Sequence, residues 1–224
     1  MFDSGIFIIL IIALIVGGIA IGAYMTKKRH ERLAGFASQR GWKYHKKLNS
    51  MRRQVVVDVG GGRSGNAFHG VFEGELEGRP FYAGTAEWDE TTGSGDDQTT
   101  KTYRRAIITR PISLNSPSMR LEKESFLTKI FNRDIKTEWE EFNKAWLIKG
   151  DDPRFVSAVL SPTMQQWLMH HQDYCYVLRP GWVSVYSPRD GRLQYEDIDT
   201  LIAASTGFTE QILPFIWQDY GTRR

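Results

Sequence analysis

The sequence predicts an α+β protein: an N-terminal transmembrane helix followed by a cytoplasmic domain with an antiparallel sheet and packed helices. Three observations carry this expectation. No charged residue lies between Ser4 and Thr26. Apolar residues alternate on either side of two-residue turns in mid-chain, and in the second half two prolines follow N-capping residues. With 224 residues, 41% of them apolar and 12% aromatic, the chain can bury a substantial core, and a single cysteine excludes a disulfide scaffold.

Gly5 to Met25 is an apolar run of 21 residues. Coiled as a helix it reaches about 31 Å, close to the ~30 Å hydrocarbon thickness of a bilayer. A cleaved signal peptide expects cations before such a run, whereas here only Asp3 precedes it and Lys27, Lys28, Arg29 and Arg32 follow. The bias of Lys and Arg predicts a single-pass protein of the plasma membrane, with the N-terminus outside and the remaining 198 residues in the cytoplasm. The expected division is a short extracytoplasmic N-terminus at 1–4, a transmembrane helix at 5–26, a basic juxtamembrane helix and connector at 27–53, and an α+β domain at 54–224. Gly18 and Gly22 form a GxxxG pair, a face on which a second helix can approach closely, so a homodimer at the membrane is one expected partner arrangement.

Charge is distributed unevenly. Residues 27–53 hold ten Lys or Arg against the single acid Glu31, a segment charge of +9, while residues 54–224 carry −5. Such a collar gains on the order of 1 kcal/mol per cation against an anionic leaflet, so Lys27, Lys28, Arg29 and Arg32 are the candidate lipid-headgroup contacts and the lipid bilayer a candidate partner. Nucleic acid is disfavoured as a partner. The domain beyond the collar repels phosphate, and few aromatics, Trp42 and Tyr44 among them, are interleaved with the cations.

Leu33, Phe36 and Ala37 repeat at helical spacing before Arg40-Gly41, which marks a helix end. Phe68, Gly70, Phe72, Gly74 and Leu76 are expected on one face of a strand, Glu77-Gly78 turns the chain, and Arg79 to Trp88 returns. A third strand is expected from Thr99 to Thr109, ended by Arg110-Pro111, then a short one around Met119 and Leu121. Ser125 is read as the cap of a helical turn presenting Phe126, Leu127, Ile130 and Phe131, and Trp146 to Ile148 as a strand. Asp152-Pro153 and Ser161-Pro162 start two helices, with apolar faces Phe155, Val156, Val159, Leu160 and then Met164, Trp167, Leu168. Tyr174 to Leu178 and Trp182 to Tyr186 form a hairpin, and a final helix from Ile198 meets Pro214, which should end or kink it.

Leu33, Phe36-Ala37 and Arg40-Gly41-Trp42 after an apolar helix resemble the start of an uncharacterised family of bacterial single-span membrane-anchored proteins. Gly78-Arg79-Pro80-Phe81, Thr92-Gly93-Ser94-Gly95, Glu141-Phe142-Asn143 and Asp152-Pro153-Arg154-Phe155 extend the resemblance over most of the chain. It implies a membrane anchor and a cytoplasmic domain, and brings no catalytic residues with it.

Catalytic signals are weak. Gly60-Gly61-Gly62-Arg63-Ser64-Gly65 matches GxGxxG after Val55-Val56-Val57, but the residues that follow alternate as a strand, so the helix N-terminus that receives a pyrophosphate is missing and a surface loop is expected. His170, His171 and Cys175 are the only local group of soft metal ligands, and adjacent histidines on a helix diverge by about 100°. Asp89-Glu90 and Asp96-Asp97 flank a loop without the spacing of a calcium-binding loop. The expected function is therefore a membrane-tethered protein-binding or scaffolding module with no cofactor, no metal and no enzyme activity. The alternatives are an anionic-lipid-interacting module using the basic segment, or an enzyme whose site lies outside sequence motifs.

Overall fold

A computed structural model of the chain describes residues 4–61, 64–123 and 135–221, without the side chains of 4–12, 15, 64 and 96. Eight strands form one sheet: β1 Lys43–Lys47, β2 Ser64–Leu76, β3 Arg79–Thr92, β4 Thr99–Pro111, β5 Met119–Lys123, β6 Trp146–Gly150, β7 Cys175–Arg179 and β8 Trp182–Tyr186. Their order is β1-β2-β3-β4-β8-β7-β5-β6, and every pairing is antiparallel. The helices are α1 Ser4–Gln39, α2 Arg52–Asp58, α3 Glu140–Ala145, α4 Pro153–Val159, α5 Pro162–His170, α6 Ile198–Glu210 and α7 Pro214–Tyr220.

The α+β arrangement holds, but the transmembrane part of the expected fold does not. Among the described residues no helix is long and apolar enough to cross a membrane. The apolar stretch of α1 ends at Met25. Lys27 and Lys28 then make the helix polar. The expectation of a single-pass protein in the plasma membrane is corrected with it.

The sheet buries different cores on its two faces. One face carries the larger core, covered by α3 to α7 and by Leu33 and Ala37 at the end of α1; Phe72, Phe81, Ile108, Leu121, Trp146, Tyr176, Leu178 and Val185 project into it. Among the described residues the other face is covered by α2, whose Val55 and Val56 meet Phe68, Val71, Ala86, Trp88, Ile107, Cys175 and Val177. Phe68 and Phe72 thus lie on opposite faces, not on one as strict alternation predicts, because the β2–β3 register shifts between His69 and Phe72. Val55-Val56-Val57, which reads as an apolar run, is helical. Its register buries Val55 and Val56 and leaves Val57 exposed.

Local chemistry sets most boundaries. Gly41 has φ +70 just past α1, and the Arg40 and Trp42 amides both donate to the Ala37 carbonyl, at 3.0 and 2.8 Å. Glu77 and Gly78 both have positive φ, 54° and 73°, as a two-residue hairpin turn demands. Asp152 accepts from the Arg154 amide at 2.8 Å and Ser161 from the Met164 amide at 3.3 Å, so both expected caps form, each followed by proline. α6 ends at Glu210, before it reaches Pro214, and Pro214 instead opens α7 after a short turn. The expected helical turn of Ser125, Phe126, Leu127, Ile130 and Phe131 lies outside the described residues.

Two buried polar links tie helices to the sheet. The Arg110 guanidinium, on β4, donates from Nε to Ser205 Oγ at 3.0 Å and from Nη2 to Thr209 Oγ1 at 2.7 Å, fixing α6. Fully buried Asp58 closes α2 onto the opposite face, receiving Arg179 Nη2 at 2.9 Å and Ser184 Oγ at 2.6 Å. Replacing Asp58 by Ala removes the buried carboxylate that Arg179 and Ser184 donate to, and urea unfolding should show a loss of roughly 3 kcal/mol. Asp152→Ala removes only a cap and should cost about 1 kcal/mol. An equal or reversed ranking would show that the Asp58 link does not hold α2.

Candidate functional site

The last turns of α1 lean on the sheet through Leu33 and Ala37, 8% and 1% exposed, and are tethered by Arg40, whose Nη2 meets Asp199 Oδ2 at 2.8 Å on the first turn of α6. Helical spacing then fixes what lies above this contact. Residues 26, 29, 30 and 33 fall on one stripe, so Thr26, Arg29 and His30 overhang the sheet. Opposite them β1 contributes Tyr44, Lys46 and Lys47; β2 contributes His69, Gly70 and Phe72; β3 contributes Thr85 and Glu87; and β4 contributes Arg104. Arg192 and Leu193, between β8 and α6, close one side. The cleft so formed has a volume of about 520 Å³.

Its floor is apolar, with Leu33, Phe72 and Leu193 all buried, and its walls are cationic. Glu87 receives Arg104 Nε at 2.7 Å and lies 3.7 Å from His69 Nε2. The Tyr44 hydroxyl is 2.6 Å from His30 Nδ1. Burial raises the Tyr44 pKa, so the phenol keeps its proton beside the imidazole. Burial, then Lys46, Arg29 and His69, lower the pKa of His30 and keep its ring neutral. Leu193 is pinned by its amide, which donates to Thr85 Oγ1 at 3.0 Å.

Of the lipid-headgroup candidates, only Arg29 lines this cleft. Lys27, Lys28 and Arg32 are exposed elsewhere on α1, Lys27 lying 3.9 Å from Glu31. Gly18 and Gly22 lie exposed on the same helix, and a Cβ at either would meet nothing within 4 Å.

The other candidates are separated or already occupied. His170 Nδ1 donates to the Gln166 carbonyl at 2.8 Å; His171 Nδ1 donates to the Trp167 carbonyl at 2.7 Å, and its ring stacks on Trp167 at 3.9 Å. Cys175 faces the opposite core, where burial pushes its thiol up to about 11. Among the described residues, no group of three or more His, Cys, Asp or Glu is placed to hold a metal. The glycine run follows a helix and precedes a strand, the reverse of the nucleotide-binding order. A Cβ on Gly61 would come within 2.5 Å of Val56 and 2.8 Å of Trp88, so that glycine serves close packing under α2. Asp89 accepts from Thr102 Oγ1 at 2.7 Å and Glu90 from Trp88 Nε1 at 2.9 Å, so these carboxylates lie on β3 and are bonded within their own hairpin.

Sequence reasoning missed Arg104, Arg192, Tyr44 and Glu87 as neighbours of Arg29, because pairing across the sheet and a distant loop bring them together. Lys46 and Lys47 were visible only as part of the basic segment.

The His30 pKa direction has a measurable consequence. Its folded-state pKa lies below the unfolded value of about 6.5, so its contribution to stability is complete above that pH and is lost as pH falls below it and through the folded-state pKa. His30→Gln should therefore give a shallower fall in unfolding midpoint than the parent protein between about pH 7.5 and pH 5.5. An unchanged slope would refute the assignment.

No family model matches the chain, and no curated protein does so significantly. Among solved structures, the chain is similar to the crystal structure of the mycobacterial trehalose monomycolate transport factor A, TtfA. The TM-score is 0.54 at 8% identity, covering 87% of this chain and 98% of that one. At that identity the similarity shows a shared fold.

Proposed function

We propose that the protein is a non-catalytic binding module whose working surface is the apolar arm of α1, docked against an apolar helix of a protein partner. One observation carries this reading. Leu14, Val16, Ile19, Ile21, Tyr24 and Met25 are each 59–76% exposed, a contiguous apolar surface of the kind that soluble proteins leave open only where something covers it. The arm leaves the body as a continuation of the same helix that packs on the sheet, so a partner bound there is held at a defined distance from the domain. The fold's occurrence in a transport factor fits use as an accessory protein.

The test is a photocrosslinker introduced at Tyr24 of the full chain in its own cells. It should give a discrete adduct, lost when Ile19 and Ile21 are replaced by Ser while the unfolding midpoint of the body is unchanged. An adduct of dimer mass that disappears with Gly18→Ile and Gly22→Ile would identify the partner as a second copy. Absence of any discrete adduct would overturn the proposal.

The position of Lys27, Lys28, Arg29 and Arg32 on the turns after the arm favours a second reading, contact with anionic lipid. Vesicles of phosphatidylglycerol should then retain the protein at low salt and release it as salt rises, since exposed charges are screened over about 10 Å at 0.1 M salt. Retention that ignores salt would refute it.

A further inference from the structure

We propose that the cleft between α1 and the sheet is a binding site for a phosphate ester, independent of any partner on the apolar arm. Five cationic side chains line it, namely Arg29, Lys46, Lys47, Arg104 and Arg192, and they come from four separate parts of the chain. The only carboxylate in the lining is Glu87, which already engages Arg104 and His69. Among the described residues, Arg29, Lys46, Lys47 and Arg192 have no ion-pair partner. Four converging positive charges without a counter-charge repel one another, and an anion placed among them removes that repulsion.

The rest of the lining suits an oxyanion. The Thr85 hydroxyl accepts from the Leu193 amide and keeps its own proton to donate. The Tyr44–His30 pair adds polar hydrogens beside Arg29 and Lys46. Gly70 leaves the wall open opposite Tyr44, since a Cβ there would lie 3.7 Å from the phenol oxygen. The arginines offer planar forks that match two oxygens of one phosphate. At about 520 Å³ the cleft exceeds a bare phosphate, so the ligand is a phosphate carrying a substituent, which passes over the apolar floor of Leu33, Phe72 and Leu193. A soluble phosphorylated metabolite and a phospholipid headgroup share this chemistry.

The experiment titrates the full chain with inorganic phosphate at constant ionic strength, following the unfolding midpoint. In parallel it measures pelleting with phosphatidylglycerol vesicles against phosphatidylcholine vesicles. Phosphate should raise the midpoint saturably, and Lys46→Gln with Arg192→Gln should weaken the apparent affinity at least about tenfold, as the loss of two charge-assisted contacts implies. Lys27→Gln with Lys28→Gln, outside the cleft, should leave it unchanged. Both cleft residues are exposed; should that pair unfold the protein, Arg29→Gln with Lys47→Gln takes its place. Stabilisation by phosphate without selective pelleting supports the proposal with a soluble ester as the source. Phosphatidylglycerol-selective pelleting lost in the cleft variant supports it with a lipid headgroup as the source. No response to either probe overturns it, as does an equal loss in the cleft and Lys27/Lys28 variants.

Discussion

The register shift between His69 and Phe72 is the constraint on which the architecture turns. Along a regular strand Phe68 and Phe72 would share a face, and one of the two cores would lose its central aromatic. The irregularity sends Phe68 under α2 and Phe72 under the end of α1. It also presents His69 and Gly70 at the rim of the cleft, so one departure from alternation serves both packing and the cationic site.

The two faces are secured unequally. The larger core relies on area: several helices, each contributing a few buried side chains, spread over most of the sheet. The smaller core has, among the described residues, one short helix above it and relies on chemistry, with Asp58 accepting from Arg179 and Ser184. Burial raises the Asp58 pKa and Arg179 opposes that rise without cancelling it, so desolvation outweighs attraction at this pair.

Elements with local signals were legible in the sequence. The Glu77-Gly78 turn, the Asp152 and Ser161 caps and the Gly41 stop each depend on residues within a few positions, and each appears where those residues stand. The apolar run from Gly5 predicted a membrane span, whereas among the described residues no helix is long and apolar enough to cross a membrane. Val55-Val56-Val57 was ambiguous for a different reason, since three β-branched residues suit a strand or a short buried helix equally and only α2 packing over Trp88 decides between them. The cleft was the least legible feature. Lys46 is local to the basic segment, whereas Arg104 and Arg192 arrive through strand pairing and a loop far along the chain, and no spacing rule links such positions.

Because α1 runs unbroken from its apolar arm to the turn that seats Leu33 on the sheet, the two ends of the helix are mechanically one piece. Torque applied to the outer end is transmitted along a stiff rod of about 1.5 Å per residue. The seating of Leu33 and Ala37 on the sheet thereby sets the angle at which Arg29 and His30 stand over Lys46.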